Sequence, residues 1–153
     1  MRKANERTFQ GVLLSVVNRL FDENPQWGWE KMRIEENVGD PGKARFADGM
    51  IYSALDKQKV VLVELKNSEW DANDEVLVRH AFEKAAANGF EYFVTGTPRQ
   101  LVVHKTFEAG KPLAERKRKS FFVSNADENQ IAEPAFEKQI VPKLKDFLAQ
   151  LAD

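Results

Sequence analysis

The run "KVVLVELKN", residues 59–67, constrains the fold more than any other stretch of this chain. Side chains alternate sides along a strand, so Val60, Leu62, Glu64 and Lys66 share one face and Val61, Val63 and Leu65 the other. Such a strand is apolar on both faces for most of its length. It belongs in the middle of a sheet, with helices packed above and below. At its end two charges, Glu64 and Lys66, emerge together on one face. The preceding strand-like run, "RFADGMIYS", carries a charge in the same unexpected way, with Phe46, Asp48, Met50 and Tyr52 sharing a face.

The rest of the chain supplies the layers that a buried strand needs. Phe9, Val12, Leu13, Val16, Val17, Leu20 and Phe21 recur at three-and-four spacing and predict an amphipathic helix over 4–22. It ends at "DENP", where Pro25 disfavours helix in the residue before it. A first strand is expected near 31–38, then the turn cluster "GDPGK", then strands near 46–54 and 59–66 joined as a hairpin by the polar "ALDKQK". A second helix is predicted over 74–88, capped by Asp71 or Asn73 and stopped by Asn88-Gly89. "EYFVTG" and "QLVVHK" read as two strands about the "TGTPR" turn. "GKPLAERKRK" reads as a basic loop and "SFFVS" as a last short strand. A final helix is expected over 134–151, kinked or restarted at Pro142. The order helix, three strands, helix, two or three strands, helix defines an α/β fold, a central mixed β-sheet flanked by α-helices.

With 153 residues, no repeat and no linker, the chain reads as one domain. The open alternative is that 1–153 is the N-terminal domain of a longer protein. There is no cysteine, which excludes disulfides and thiolate metal sites and fits a cytoplasmic setting. No apolar run approaches the roughly 20 residues that cross a bilayer, so no membrane is expected as a partner. The net charge of −1 counts mildly against tight, unaided nucleic-acid binding.

If the strands at 46–54 and 59–66 pair as a hairpin, Asp48 and Glu64 approach one another near one edge of the sheet. Two carboxylates brought together repel, and burial raises the cost. A hard divalent cation relieves both problems. Mg²⁺ takes one or two carboxylates together with waters and phosphate oxygens. A nearby lysine, Lys66, would then orient or deprotonate a water. The set suits metal-assisted phosphodiester hydrolysis. The plainer reading is that Glu64 and Lys66 are the solvated end of a strand and that Asp48-Gly49 is a bulge or turn.

At these residues the sequence resembles the PD-(D/E)xK nuclease superfamily, the restriction-endonuclease-like fold. The pattern "ARFADGMIY…KVVLVELKN…RHAFEKAAANGFEYFVTGTPRQLVVHK" is most similar to the N-terminal nuclease domain of type I restriction motor subunits. The likeness covers residues about 44–105, and the first helix fits in position and type. It implies a Mg²⁺-dependent DNA endonuclease, with Mn²⁺ able to substitute. Asp48 and Glu64 would ligate the ion, with the backbone carbonyl of Leu65 as a further ligand, and Lys66 would serve the attacking water. Many relatives carry a glutamate on the first helix that reaches the metal or its water, a place that Glu6 matches. An acid in the first turn of a helix is also favourable in its own right. Further domains or subunits, such as a motor or methyltransferase, are implied as partners beside DNA.

Two departures stand out. Ala47 occupies the place of the Pro in the superfamily's name. On the second helix, where relatives often have Gln followed four residues later by Tyr or Lys, this chain has His80 and Lys84. Lys84 remains a candidate phosphate contact, while His80 and His104 read as structural, His80 as a partly buried side chain. The basic run Arg116, Lys117, Arg118 and Lys119 is either a solvated loop or a contact to phosphate backbone. Trp27, Trp29 and Trp70 read as core or interface anchors, with Trp70 just beyond the candidate site. A noncatalytic module that keeps the fold and an RNA-directed nuclease are the competing readings.

Overall fold

The structure, a computed structural model, describes residues 4–37, 46–54, 60–127 and 129–151, without the side chains of 4–7, 35–37 and 46. The elements are α1 (Ala4–Glu23), β1 (Trp29–Asn37), β2 (Phe46–Ser53), β3 (Val60–Leu65), α2 (Glu75–Ala87), β4 (Tyr92–Gly96), β5 (Gln100–Lys105), β6 (Lys117–Phe122) and α3 (Pro134–Leu151), with short 3₁₀ turns between some of them. The "GDPGK" turn and the connection after Ala54 lie outside the described residues.

The six strands form one mixed sheet in chain order, β1 to β6. Among the described residues only β3 and β4 pair in parallel, because α2 carries the chain back across the sheet between them. β3 is buried over its whole length, as its two apolar faces demand. Val61, Val63 and Leu65 enter the larger core with α1 and α3. Val60 and Leu62 enter the smaller core with Met50, Phe93 and Val78, Ala81 and Ala85 of α2. The layers are therefore α1 and α3 on one face, the sheet, and α2 on the other.

Three details depart from the sequence expectation. Asp74, rather than Asp71 or Asn73, caps α2, its carboxylate accepting from the N–H groups of Val76 and Leu77 at 3.0 and 3.1 Å. Asp71 and Asn73 instead bond to one another one turn earlier. Most of the basic run is strand rather than loop: Arg116 closes a 3₁₀ turn, and β6 begins at Lys117. α3 runs through Pro142 as one helix, since Phe136, Ile140, Leu144, Phe147 and Leu148 bury a continuous stripe on both sides of it.

Two amide side chains dock α1 onto the sheet. Asn18 both donates to and accepts from the main chain of Met32, at 3.0 and 2.7 Å. Gln10, 2% exposed, donates from Nε2 to the main-chain oxygen of Asp48 at 2.6 Å.

Candidate active site

The candidate site is built where β2 starts and β3 ends. The antiparallel register pairs Gly49 with Val63 and Met50 with Leu62. Continued by one residue, it sets Asp48 opposite Glu64, and directly opposed residues have Cβ atoms about 4.5–5.5 Å apart. Asp48 follows the alternation of Met50 and Tyr52, and Glu64 that of Val60 and Leu62, so both acids face the α2 side. Asp48-Gly49 is regular strand, not a turn. A Cβ on Gly49 would run into the Met32 side chain and lie 3.3 Å from Val63 Cβ, so glycine lets β2 seat closely against both neighbours.

Both acids are buried, Asp48 to 5% and Glu64 to 7% exposure. An ionised carboxylate in such a place needs charged or hydrogen-bonding partners. Asp48 Oδ2 accepts from the Leu65 N–H at 2.7 Å, a bond that ties the acid to the last residue of β3. Glu64 Oε1 meets the Lys84 ammonium at 2.8 Å. Lys84 thus lies at the carboxylate pair, paired with Glu64. Lys66 is half-buried just past β3, and its Nζ sits 4.8 Å from the centroid of the Trp70 ring.

The donor set suits a hard ion. Two carboxylates on one face match Mg²⁺, which keeps several waters and rarely takes an all-protein cage. Among the described residues no group of three or more His, Asp or Glu side chains gathers as a metal cage. Glu6 lies in the first turns of α1, on the same helix as Gln10, and its side chain is outside the described residues. Gln10 is the site residue that sequence reasoning missed. Its signal was a polar residue beside Phe9, inside the stripe that the periodicity marks as buried.

Other candidates fall away from the carboxylates. His80 is exposed, not partly buried as expected, because it projects from the solvent side of α2. His104 is 3% exposed and stacks on Phe93 at 4.6 Å. Thr95 gives its hydroxyl proton to the Ala72 carbonyl at 2.7 Å, so its oxygen accepts from His104 Nε2–H at 2.9 Å. Burial, with Lys117 adding to it, lowers the His104 pKa to about 4, so the ring is neutral at pH 7. Arg116 is engaged with the Thr106 and Lys111 carbonyls at 2.7 and 2.9 Å and lies over the Phe82 ring. Arg118 reaches Glu108 at 3.3 Å, and Lys119 reaches Gln150 at 3.1 Å. Lys117 is exposed beside a cleft of about 550 Å³ that His104, Arg79 and Asn73 also line, on the β5 side of α2. Trp29 is core, stacked with Phe21 at 6.5 Å, while Trp27 packs at the margin of that core.

The sequence matches no family model and no curated protein. Among solved structures, a candidate nuclease of the DUF820 group from Anabaena variabilis ATCC 29413 superposes with a TM-score of 0.54 at 10% identity, over 97% of this chain and 84% of that one. The shared fold is the restriction-endonuclease-like α/β arrangement. Weaker likenesses are to the type IIG restriction endonuclease BpuSI (TM-score 0.46, 16% identity, 90% of this chain) and to DrdV in a DNA complex (0.42, 15%, 97%). This chain spans only 17% and 13% of the lengths of those two. No helix among the described residues is long and apolar enough to cross a membrane.

Proposed function

We propose that this chain is a metal-dependent nuclease domain that hydrolyses DNA phosphodiester bonds with Mg²⁺, for which Mn²⁺ can substitute. The observation that carries the proposal is the burial of two acids, Asp48 and Glu64, on one face of neighbouring strands whose register, continued by one residue, sets them opposite one another. Bound Mg²⁺ would polarise a phosphoryl oxygen and lower the pKa of a coordinated water. Asp48 and Glu64 would supply the anionic oxygens that hold it, with the Leu65 carbonyl as a further donor, and Glu6 would reach the ion or its water. The Leu65 N–H fixes Asp48 in place before any ligand arrives. Lys66, which follows Glu64 by two residues, would orient the attacking water and offset charge on the phosphate. Lys84 neutralises part of the acidic pair and is the candidate phosphate contact on α2.

The motif likeness to the nuclease domain of type I restriction motor subunits supports DNA as substrate, and further domains or subunits such as a motor or methyltransferase as partners. One observation favours a second reading, a noncatalytic module that keeps the fold: the Lys84 ammonium already offsets the charge of Glu64 without a metal.

Cleavage of plasmid and single-stranded DNA with Mg²⁺ or Mn²⁺ decides between them. Asp48→Ala and Lys66→Ala should each lower the rate on the order of 10²-fold or more. Undiminished cleavage by both variants, at equal purity and fold content, sinks the catalytic proposal.

A further inference from the structure

We infer that Trp70 is a positioning residue for Lys66, its indole fixing where the lysine ammonium lies just past the end of β3; the inference rests on the nuclease reading above. A cation within about 6 Å of an aromatic centroid is attracted by the ring's quadrupole. Lys66 Nζ lies at 4.8 Å from the Trp70 ring.

The choice of partner matters. Lys66 follows Glu64 by two residues, and a carboxylate is the ordinary partner for an ammonium. Here Lys84 takes Glu64 Oε1 at 2.8 Å, and Lys66 turns to the indole. A ring face attracts charge without offering the lone pairs of a carboxylate. An ammonium held this way keeps protons to donate to water or to a phosphate oxygen. The two lysines therefore divide the work: one balances an acid, the other is held ready for the substrate.

Trp70 does not serve as a core anchor, being 36% exposed. Its place is set by the residues directly after Lys66. Asn67 is almost fully buried; its Oδ1 accepts from Glu69 N–H at 2.9 Å, and its main-chain oxygen accepts from Trp70 N–H at 3.1 Å. This tight turn folds "KNSEW" back so that the ring returns over the lysine. The device is local, encoded within five residues of the strand end.

Proton NMR and kinetics test it together. The Lys66 side-chain methylene resonances should be shifted upfield by the indole ring current. That shift should vanish in Trp70→Leu and persist in part in Trp70→Phe. On DNA with Mg²⁺, Trp70→Leu should lose roughly two- to fivefold in kcat with KM little changed, and Trp70→Phe should recover part of the loss. In a Lys66→Met background, Trp70→Leu should cost nothing more. Unshifted Lys66 resonances, or an unchanged kcat in Trp70→Leu beside an inactive Asp48→Ala, overturn the positioning role. A loss confined to KM also overturns it, making the indole a substrate-binding surface. Undiminished cleavage by Asp48→Ala overturns the nuclease reading, and the role with it, even where the ring-current shift is present.

Discussion

Asp48 is gripped at both ends, its carboxylate by the Leu65 N–H and its main-chain oxygen by Gln10. Asp48 and Glu64 were legible in the sequence because each breaks an apolar strand pattern, and strand alternation then gives their shared face. Gln10 was not, since a glutamine in an amphipathic helix ordinarily reads as part of the solvent side. His104 follows the same logic in reverse: it sits near the end of a strand with no partner visible in the sequence, and Thr95 and Phe93 become its neighbours only once β4 and β5 pair. Its burial has a consequence for stability. The folded pKa is about 4, below the ordinary 6.5 of the unfolded chain, so between these values the unfolded state binds more protons. Stability should fall as pH drops from about 6.5 towards 4, by on the order of 3 kcal/mol over the window. Denaturant midpoints of the wild type and His104→Gln between pH 7.5 and 4.5 check this. The same pH slope in both proteins would remove His104 as the cause.

At the scale of elements, the basic run shows why composition misleads. Four consecutive cations read as a solvated loop, yet β6 is an edge strand, where charged residues are common and guard against unwanted pairing. On a strand the run cannot present one surface. Lys119 reaches Gln150 of α3, whereas Lys117 lies beside His104 and the cleft next to α2. The helices were more legible, because a 3.6-residue stripe survives any partner. Their ends were not, because Asp71, Asn73 and Asp74 are all good caps and only the docked helix chooses among them. Asp74 accepts from two N–H groups at the start of α2, the element that carries Lys84 to Glu64. Asp74→Ala should cost about 0.5–2 kcal/mol in chemical denaturation. Asp71→Ala, which leaves that cap intact, should cost less. The reverse order would show that the helix starts elsewhere.

Across the whole molecule, the buried strand β3 does two jobs. Its apolar faces hold α1 and α3 on one side and α2 on the other, and its end places Glu64 opposite Asp48. The layered fold was therefore readable from one hydrophobic run. The Lys84 and Trp70 contacts were not, since they depend on how α2 and the turn after β3 settle on the sheet. The geometry also links ligand to stability. Asp48 and Glu64 meet only in the folded chain, so an ion that needs both binds the native state alone. Folding then gains RT ln(1 + [Mg²⁺]/Kd), about 2.7 kcal/mol at a hundredfold excess over Kd. For a domain of this size that amounts to a rise of roughly 5–10 °C in Tm. Asp48→Asn keeps the shape but removes one anionic donor, and its Tm should respond far less to Mg²⁺. Calorimetry of both proteins across a Mg²⁺ series reads the difference directly. Equal responses would mean that the ion binds elsewhere, and a wild-type Tm unmoved by Mg²⁺ would mean that the buried acids hold no ion.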